Sequence, residues 1–103
     1  MSELSEMENQ LEDLAHQVTS RLAELDKKVV FAESCTGGKM AAAMTIVPGV
    51  SACFCGSAVT YRNATKTQWL SVSETELEKN TAVSEPTTIA MARNVLELSL
   101  IHI

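Results

Sequence analysis

The stretch Val29-Val30-Phe31-Ala32-Glu33-Ser34-Cys35-Thr36-Gly37-Gly38 constrains the fold more than any other part of the chain. Val29 to Ala32 form a short apolar run, β-branched and aromatic, of the kind that fills a central strand covered on both faces. The strand ends at Glu33 and Ser34. After the paired glycines come Lys39-Met40-Ala41-Ala42-Ala43-Met44, strong helix formers whose first turn leaves unpaired backbone N–H groups at the strand end. Strand, tight turn and helix in this order predict an open α/β architecture, in which ligands bind beyond the carboxyl ends of the strands. A hydroxyl and a thiol, Ser34 and Cys35, stand at that place, beside N–H donors suited to an anion or an oxyanion. The same pattern also suits an ordinary strand-to-helix turn that needs glycine for its geometry alone.

Residues 2 to 28 read as one amphipathic helix, because Leu4, Met7, Leu11, Leu14, Val18, Leu22 and Leu25 recur at three- and four-residue steps. The opposite face is acidic, with Glu3, Glu6, Glu8, Glu12, Asp13, Glu24 and Asp26 against Arg21. That is the pattern of a solvated face, although an apolar stripe of this kind can also form a coiled-coil seam. His16 falls on the polar side. The helix after Gly38 stops before Pro48-Gly49, and a second strand follows over about residues 53 to 61. Cys53 and Cys55 would share a face of that strand as buried, inert thiols, since no second ligand pair completes a zinc site. Asn63 can cap a short helix, and Ser73 or Thr75 opens a further turn over Glu76 to Lys79. Ala82-Val83-Ser84 reads as a short extended piece. Ser84-Glu85-Pro86 then starts a last helix with Ile89, Met91, Ala92, Val95 and Leu96 as its buried stripe.

Composition narrows the function. A net charge of -5 excludes a general nucleic-acid or anionic-membrane binder, which would carry a basic patch. The sequence has no apolar run of the roughly 18 residues that a membrane span needs, and its acidic start, in place of a basic n-region, leads us to expect no secretory leader. The expectation is one cytoplasmic domain over residues 1–103, with its three cysteines as free thiols.

Glu33-Ser34-Cys35-Thr36-Gly37-Gly38 resembles the signature of the competence-damage CinA C-terminal domain family, which includes bacterial nicotinamide mononucleotide deamidases. Further segments fall at family-like spacings: Val47-Pro48-Gly49, Gly56 with Val59-Thr60-Tyr61, Asn63 and Lys66, Ala82-Val83-Ser84, and Met91-Ala92. The likeness covers about residues 10 to 97, and 98 to 103 read as an atypical end. The resemblance implies a three-layer α/β/α domain that hydrolyses the carboxamide of nicotinamide mononucleotide to nicotinate mononucleotide and ammonia, without metal or cofactor. By motif position it makes Ser34 the nucleophile, Lys66 the general base and Tyr61 a hydroxyl that positions or relays the proton. Glu33, Cys35, Thr36, Gly37, Gly38 and Asn63 would contact the substrate. The backbone of Cys35 to Gly38 would hold either the oxyanion or the substrate phosphate. A lysine serves as base only when neutral, so the resemblance requires Lys66 to be desolvated.

The family pattern continues with further strands and a Thr-Gly-Ile-Ala-Gly-Pro-like segment to which nothing here corresponds. The expectation is therefore an incomplete sheet and little or no turnover from these 103 residues by themselves. Two rivals remain. Gly38-Lys39 suggests a phosphate loop, but Glu33 and Met40 occupy the positions where that loop needs glycine and serine or threonine. The other is a non-catalytic module that binds or self-associates through its N-terminal helix.

Overall fold

A computed structural model of the chain describes residues 2–101. Helix and strand alternate early in the chain and helices follow, giving an α/β fold built on a two-stranded parallel sheet. The chain forms two compact units, residues 2–29 with 39–56, and residues 30–38 with 57–101.

The first unit is dominated by α1 (Glu3–Leu25) and α2 (Lys39–Thr45). Ser2 caps α1, its Oγ accepting from the Ser5 N–H at 3.2 Å. Asp26 ends it in the left-handed region, which lets the Lys27 N–H close on the Leu22 carbonyl at 2.9 Å. Leu11, Ala15, Thr19 and Leu22 are the more enclosed face of α1, whereas Leu4, Met7, Leu14, Val18 and Leu25 stay exposed. Only part of the expected stripe is covered. The reason is the width of the apolar arc: Leu14 and Val18 are exposed among enclosed Leu11, Ala15, Thr19 and Leu22, so one side of the stripe is covered and the other is not. Ala43, Met44, Val47 and Cys53 are buried in this unit. Pro48-Gly49 breaks the chain as expected, with Gly49 at φ +79° opening a single 3-10 turn, Val50–Ala52.

The strands are β1 (Val29–Glu33) and β2 (Phe54–Val59). They are parallel, which demands a long connection, and residues 34 to 53 supply it. The pairing is held by the Val29 N–H on the Cys53 carbonyl at 2.8 Å and the Thr60 N–H on the Glu33 carbonyl at 2.9 Å. β2 is shorter at both ends than the 53 to 61 expected. Cys53 falls before it and is buried while Cys55 is exposed, so the two thiols do not share a buried face.

The second unit packs α3 (Asn63–Leu70), α4 (Glu74–Asn80) and α5 (Glu85–Ile101) on one another. Leu70, Val72, Leu77, Met91 and Val95 form its core, with Val30, Ala32, Ala58 and Ala90 against them. The first residue of α3 is Asn63, and Arg62 occupies the cap position without a side-chain bond. Ser73 caps α4 through the Glu76 N–H, and Ser84 accepts from the Thr87 N–H at the start of α5. Residues 82 to 84 are bends instead of an extended piece, with Val83 fully exposed to water. The buried line of α5 is Thr87, Met91 and Val95, flanked by Ala90 and Asn94, so Ile89, Ala92 and Leu96 face outward. α5 carries through Leu98; of the atypical end, residues 102 and 103 lie outside the described residues. No helix among the described residues is long and apolar enough to cross a membrane.

Candidate active site

The site lies within the second unit, where β1 ends, the turn of residues 34 to 38 begins, and α3 brings up a lysine. Lys66 has no exposed surface. Its Nζ lies 3.0 Å from Ser34 Oγ, 2.6 Å from the Thr60 carbonyl oxygen and 3.2 Å from that of Tyr61. A protonated amine donates to all three. A neutral amine keeps its two N–H bonds on the carbonyls and turns its lone pair to the Ser34 hydroxyl, which then donates to it. All three partners of Lys66 are neutral. Burial therefore strips water from the ammonium, and this pushes the Lys66 pKa below the ordinary lysine range. The electrostatic interaction with Cys35 acts in the opposite direction and is the smaller effect.

Local sequence explains this placement. Lys66 sits at the fourth position of α3, so its long side chain points back toward the N-terminal end of that helix, where Thr60 and Tyr61 enter. Ser34 follows directly on the last residue of β1. The turn after it closes through the Gly37 N–H on the Ser34 carbonyl at 3.0 Å. Gly37 at φ +62° and Gly38 at φ +101° take conformations that favour glycine, and a Cβ on Gly38 would meet Val59 Cγ2 at 3.5 Å.

The remaining expected site residues are distributed as follows. Glu33 is turned inward, 2% exposed, where its carboxylate accepts from Thr36 Oγ1 at 3.0 Å and from Ser57 Oγ at 2.6 Å. Thr36 thus spends its hydroxyl on Glu33. Cys35 is exposed. Tyr61 meets Lys66 through its main-chain carbonyl, and the residue is 72% exposed. Asn63 lines a different feature, a groove of about 270 Å³ between α3 and α4 bounded by Ala64, Thr67, Glu74, Leu77 and Glu78. Among the described residues no group of three or more His, Cys, Asp or Glu side chains could hold a metal ion.

Two contributors escaped the sequence reading. Ser57 binds the Glu33 carboxylate, and Thr60 uses its carbonyl on Lys66 and its N–H on the Glu33 carbonyl. Ser57 left one signal, a hydroxyl set in the otherwise apolar run of β2. The Thr60 contribution is main-chain and carries no residue-type signal.

Fold and site together define an α/β protein with a part-buried serine hydrogen-bonded to a fully buried lysine at the carboxyl end of a parallel strand. The model of the CinA C-terminal domain matches residues 11–103, and the chain belongs to that family. It is 49% identical over 76 residues to a CinA-like protein of Prochlorococcus marinus (strain MIT 9312), covering 74% of this chain and 18% of that protein. A CinA-like protein of Endomicrobium trichonymphae is 49% identical over 88 residues, 84% of this chain and 21% of its own length. Among solved structures, the competence/damage inducible protein CihA from Agrobacterium tumefaciens superposes with a TM-score of 0.81 at 38% identity, covering 84% of this chain and 53% of that one. A CinA superfamily protein from Escherichia coli gives 0.82 at 34% identity, over 84% of this chain and 51% of that one. The chain thus spans about a fifth of these curated relatives and about half of these solved structures.

Proposed function

We propose that the serine–lysine pair is the catalytic centre of an amidohydrolase that converts nicotinamide mononucleotide to nicotinate mononucleotide and ammonia. One observation carries this reading: a fully buried lysine whose hydrogen-bond partners are all neutral holds its amine 3.0 Å from the hydroxyl of Ser34. A serine hydroxyl is a poor nucleophile until a neighbour takes its proton, and a lysine with a lowered pKa can take it. Neutral Lys66 accepts the proton as Ser34 Oγ bonds to the carboxamide carbon. It then passes that proton to the nitrogen, and ammonia leaves as the C–N bond breaks. Water, deprotonated by the same amine, attacks the Ser34 ester, releases the carboxylate and returns the proton to Oγ. The Gly37 amide is already committed to the Ser34 carbonyl, so Cys35, Thr36 or Gly38 supplies the oxyanion donors or the phosphate contact. Tyr61 enters through its carbonyl, and Tyr61→Phe, which keeps that carbonyl, tests whether its hydroxyl also relays a proton.

Ammonia release from nicotinamide mononucleotide tests the reading, measured for this chain and for the chain joined to the C-terminal half of a solved relative. Turnover in the joined protein, lost in Ser34→Ala with the fold retained, is the expected outcome. A folded joined protein without turnover, or a Ser34→Ala variant that keeps it, overturns the assignment.

A second reading rests on α1, whose Leu4, Met7, Leu14, Val18 and Leu25 form an exposed row at heptad spacing. Residues 3–13 carry five acids and no base, whereas residues 14–28 carry Arg21, Lys27 and Lys28 against Glu24 and Asp26. An antiparallel pairing with a second copy sets these unlike segments against each other, whereas a parallel one sets acid against acid.

A further inference from the structure

Glu33 is an unusual neighbour for a nucleophile, a carboxylate with only 2% of its surface exposed, one residue before Ser34. A buried carboxylate is tolerated only where hydrogen bonds replace its water. Here Ser57 Oγ donates to Oε2 at 2.6 Å and Thr36 Oγ1 donates to Oε1 at 3.0 Å, the first within the short range of a charge-assisted bond. The two hydroxyls come from different places. Thr36 lies two residues beyond Ser34 in the same turn, so its bond to Glu33 closes a loop of side chains around Ser34. Ser57 lies on β2, three residues before Thr60. Thr60 in turn donates its N–H to the Glu33 carbonyl at 2.9 Å and accepts from Lys66 Nζ at 2.6 Å. Side chain and main chain of Glu33 therefore fix both the turn that carries the nucleophile and the segment whose carbonyl holds the base.

We infer that Glu33, acting through Thr36 and Ser57, is a positioning residue that holds Ser34 Oγ in line with the Lys66 amine, and does not itself contact substrate. This inference rests on the serine–lysine reading above. Its oxygens are turned to the Ser57 and Thr36 hydroxyls, which is why the contribution is to geometry.

The test uses the 103-residue chain and a fluorophosphonate probe, which phosphonylates an activated serine with loss of fluoride and needs no complete substrate pocket. Saturation kinetics separate the maximal inactivation rate from the probe's apparent affinity, and are compared for the parent, Glu33→Gln, Ser57→Ala, Ser57→Thr and the double variant Glu33→Gln/Ser57→Ala. A misplacement on the scale of one ångström costs a reacting pair on the order of 10²-fold, so Glu33→Gln and Ser57→Ala should lower the maximal rate by about 10- to 100-fold at unchanged affinity. The hydroxyl restored in Ser57→Thr should recover most of the rate. Because both singles break the same tie, the double variant should be no slower than the slower single. A merely structural loss would instead lower folded content in amide NMR spectra and would add across the two sites.

Labelling of the parent at Ser34 with variants that react at the parental rate overturns the positioning role and leaves the serine–lysine pair standing. A fall in probe affinity at unchanged maximal rate assigns Glu33 to ligand binding and overturns it too. A folded parent that does not label overturns the pair and the positioning role together. Should Glu33→Gln fail to fold, Ser57→Ala against Ser57→Thr decides alone.

Discussion

Lys66 spends every N–H it has on neutral acceptors, and this sets a sign that can be measured. Its proton leaves the folded chain at lower pH than the unfolded chain, because burial disfavours the ammonium. Between the two midpoints the unfolded state binds more protons, so stability rises with pH through that window. Lys66→Met removes this contribution. Urea midpoints of parent and variant, compared from about pH 7 to about pH 11, should therefore diverge in favour of the parent as pH rises. A difference that does not change with pH contradicts the lowered pKa. The proposed deamidation follows the same proton, with a rate that climbs as Lys66 becomes neutral and levels off below the ordinary lysine range. At this scale the sequence reading located Ser34 and Lys66 by resemblance, and the structure brings those two within hydrogen-bond distance. It could not foresee that Glu33 faces inward, since a carboxylate at the end of a strand, next to Ser34, is equally compatible with a solvent-facing ligand contact. Nor could it see Thr60, whose part is played by main-chain atoms that every residue type possesses.

At the scale of elements, local chemistry was legible and the choice of buried face was not. Ser2, Ser73 and Ser84 each accept from a backbone N–H three residues on, as residues of their type do at helix starts. The Pro48-Gly49 break fell where the residues required it. Burial differed, because a helix with a wide apolar arc presents whichever part its neighbours reach. In α5 that part is Thr87, Met91 and Val95, and the helix is tied to α3 by Asn94, whose Nδ2 donates to the Leu70 carbonyl at 2.7 Å. No apolar periodicity would mark Asn94 as an inner residue, yet it satisfies a carbonyl in the last turn of α3 that has no helical partner. Asn94→Ala should cost about 1 to 2 kcal/mol in urea unfolding, the usual cost of orphaning a part-buried acceptor. Asn94→Asp, which cannot donate in its ionised form, should cost no less. A variant as stable as the parent would show that water replaces the amide without loss.

At the scale of the whole molecule the exposed row of α1 is the feature with the plainest consequence. Sedimentation equilibrium of the chain should show a concentration-dependent dimer, and Leu14→Glu with Val18→Glu should abolish it by placing charge in the seam. A parent that stays monomeric at about 100 µM, a concentration at which an interface of about 6 kcal/mol would assemble, refutes that pairing. The amino-acid sequence by itself determined the α/β class, two strands with a helix between, the helix boundaries to within a few residues and, through the resemblance of Glu33 to Gly38 and the ordered segments after it, the family. The elements follow from period, breakers and caps, which act between residues close along the chain. Tertiary structure alone decided that Lys66 loses its water, that Glu33 is held by Ser57 from 24 residues away, and which apolar side chains remain outside. Those outcomes depend on which segments meet across the fold, and both solvation and hydrogen bonding are set by that meeting instead of by residue type.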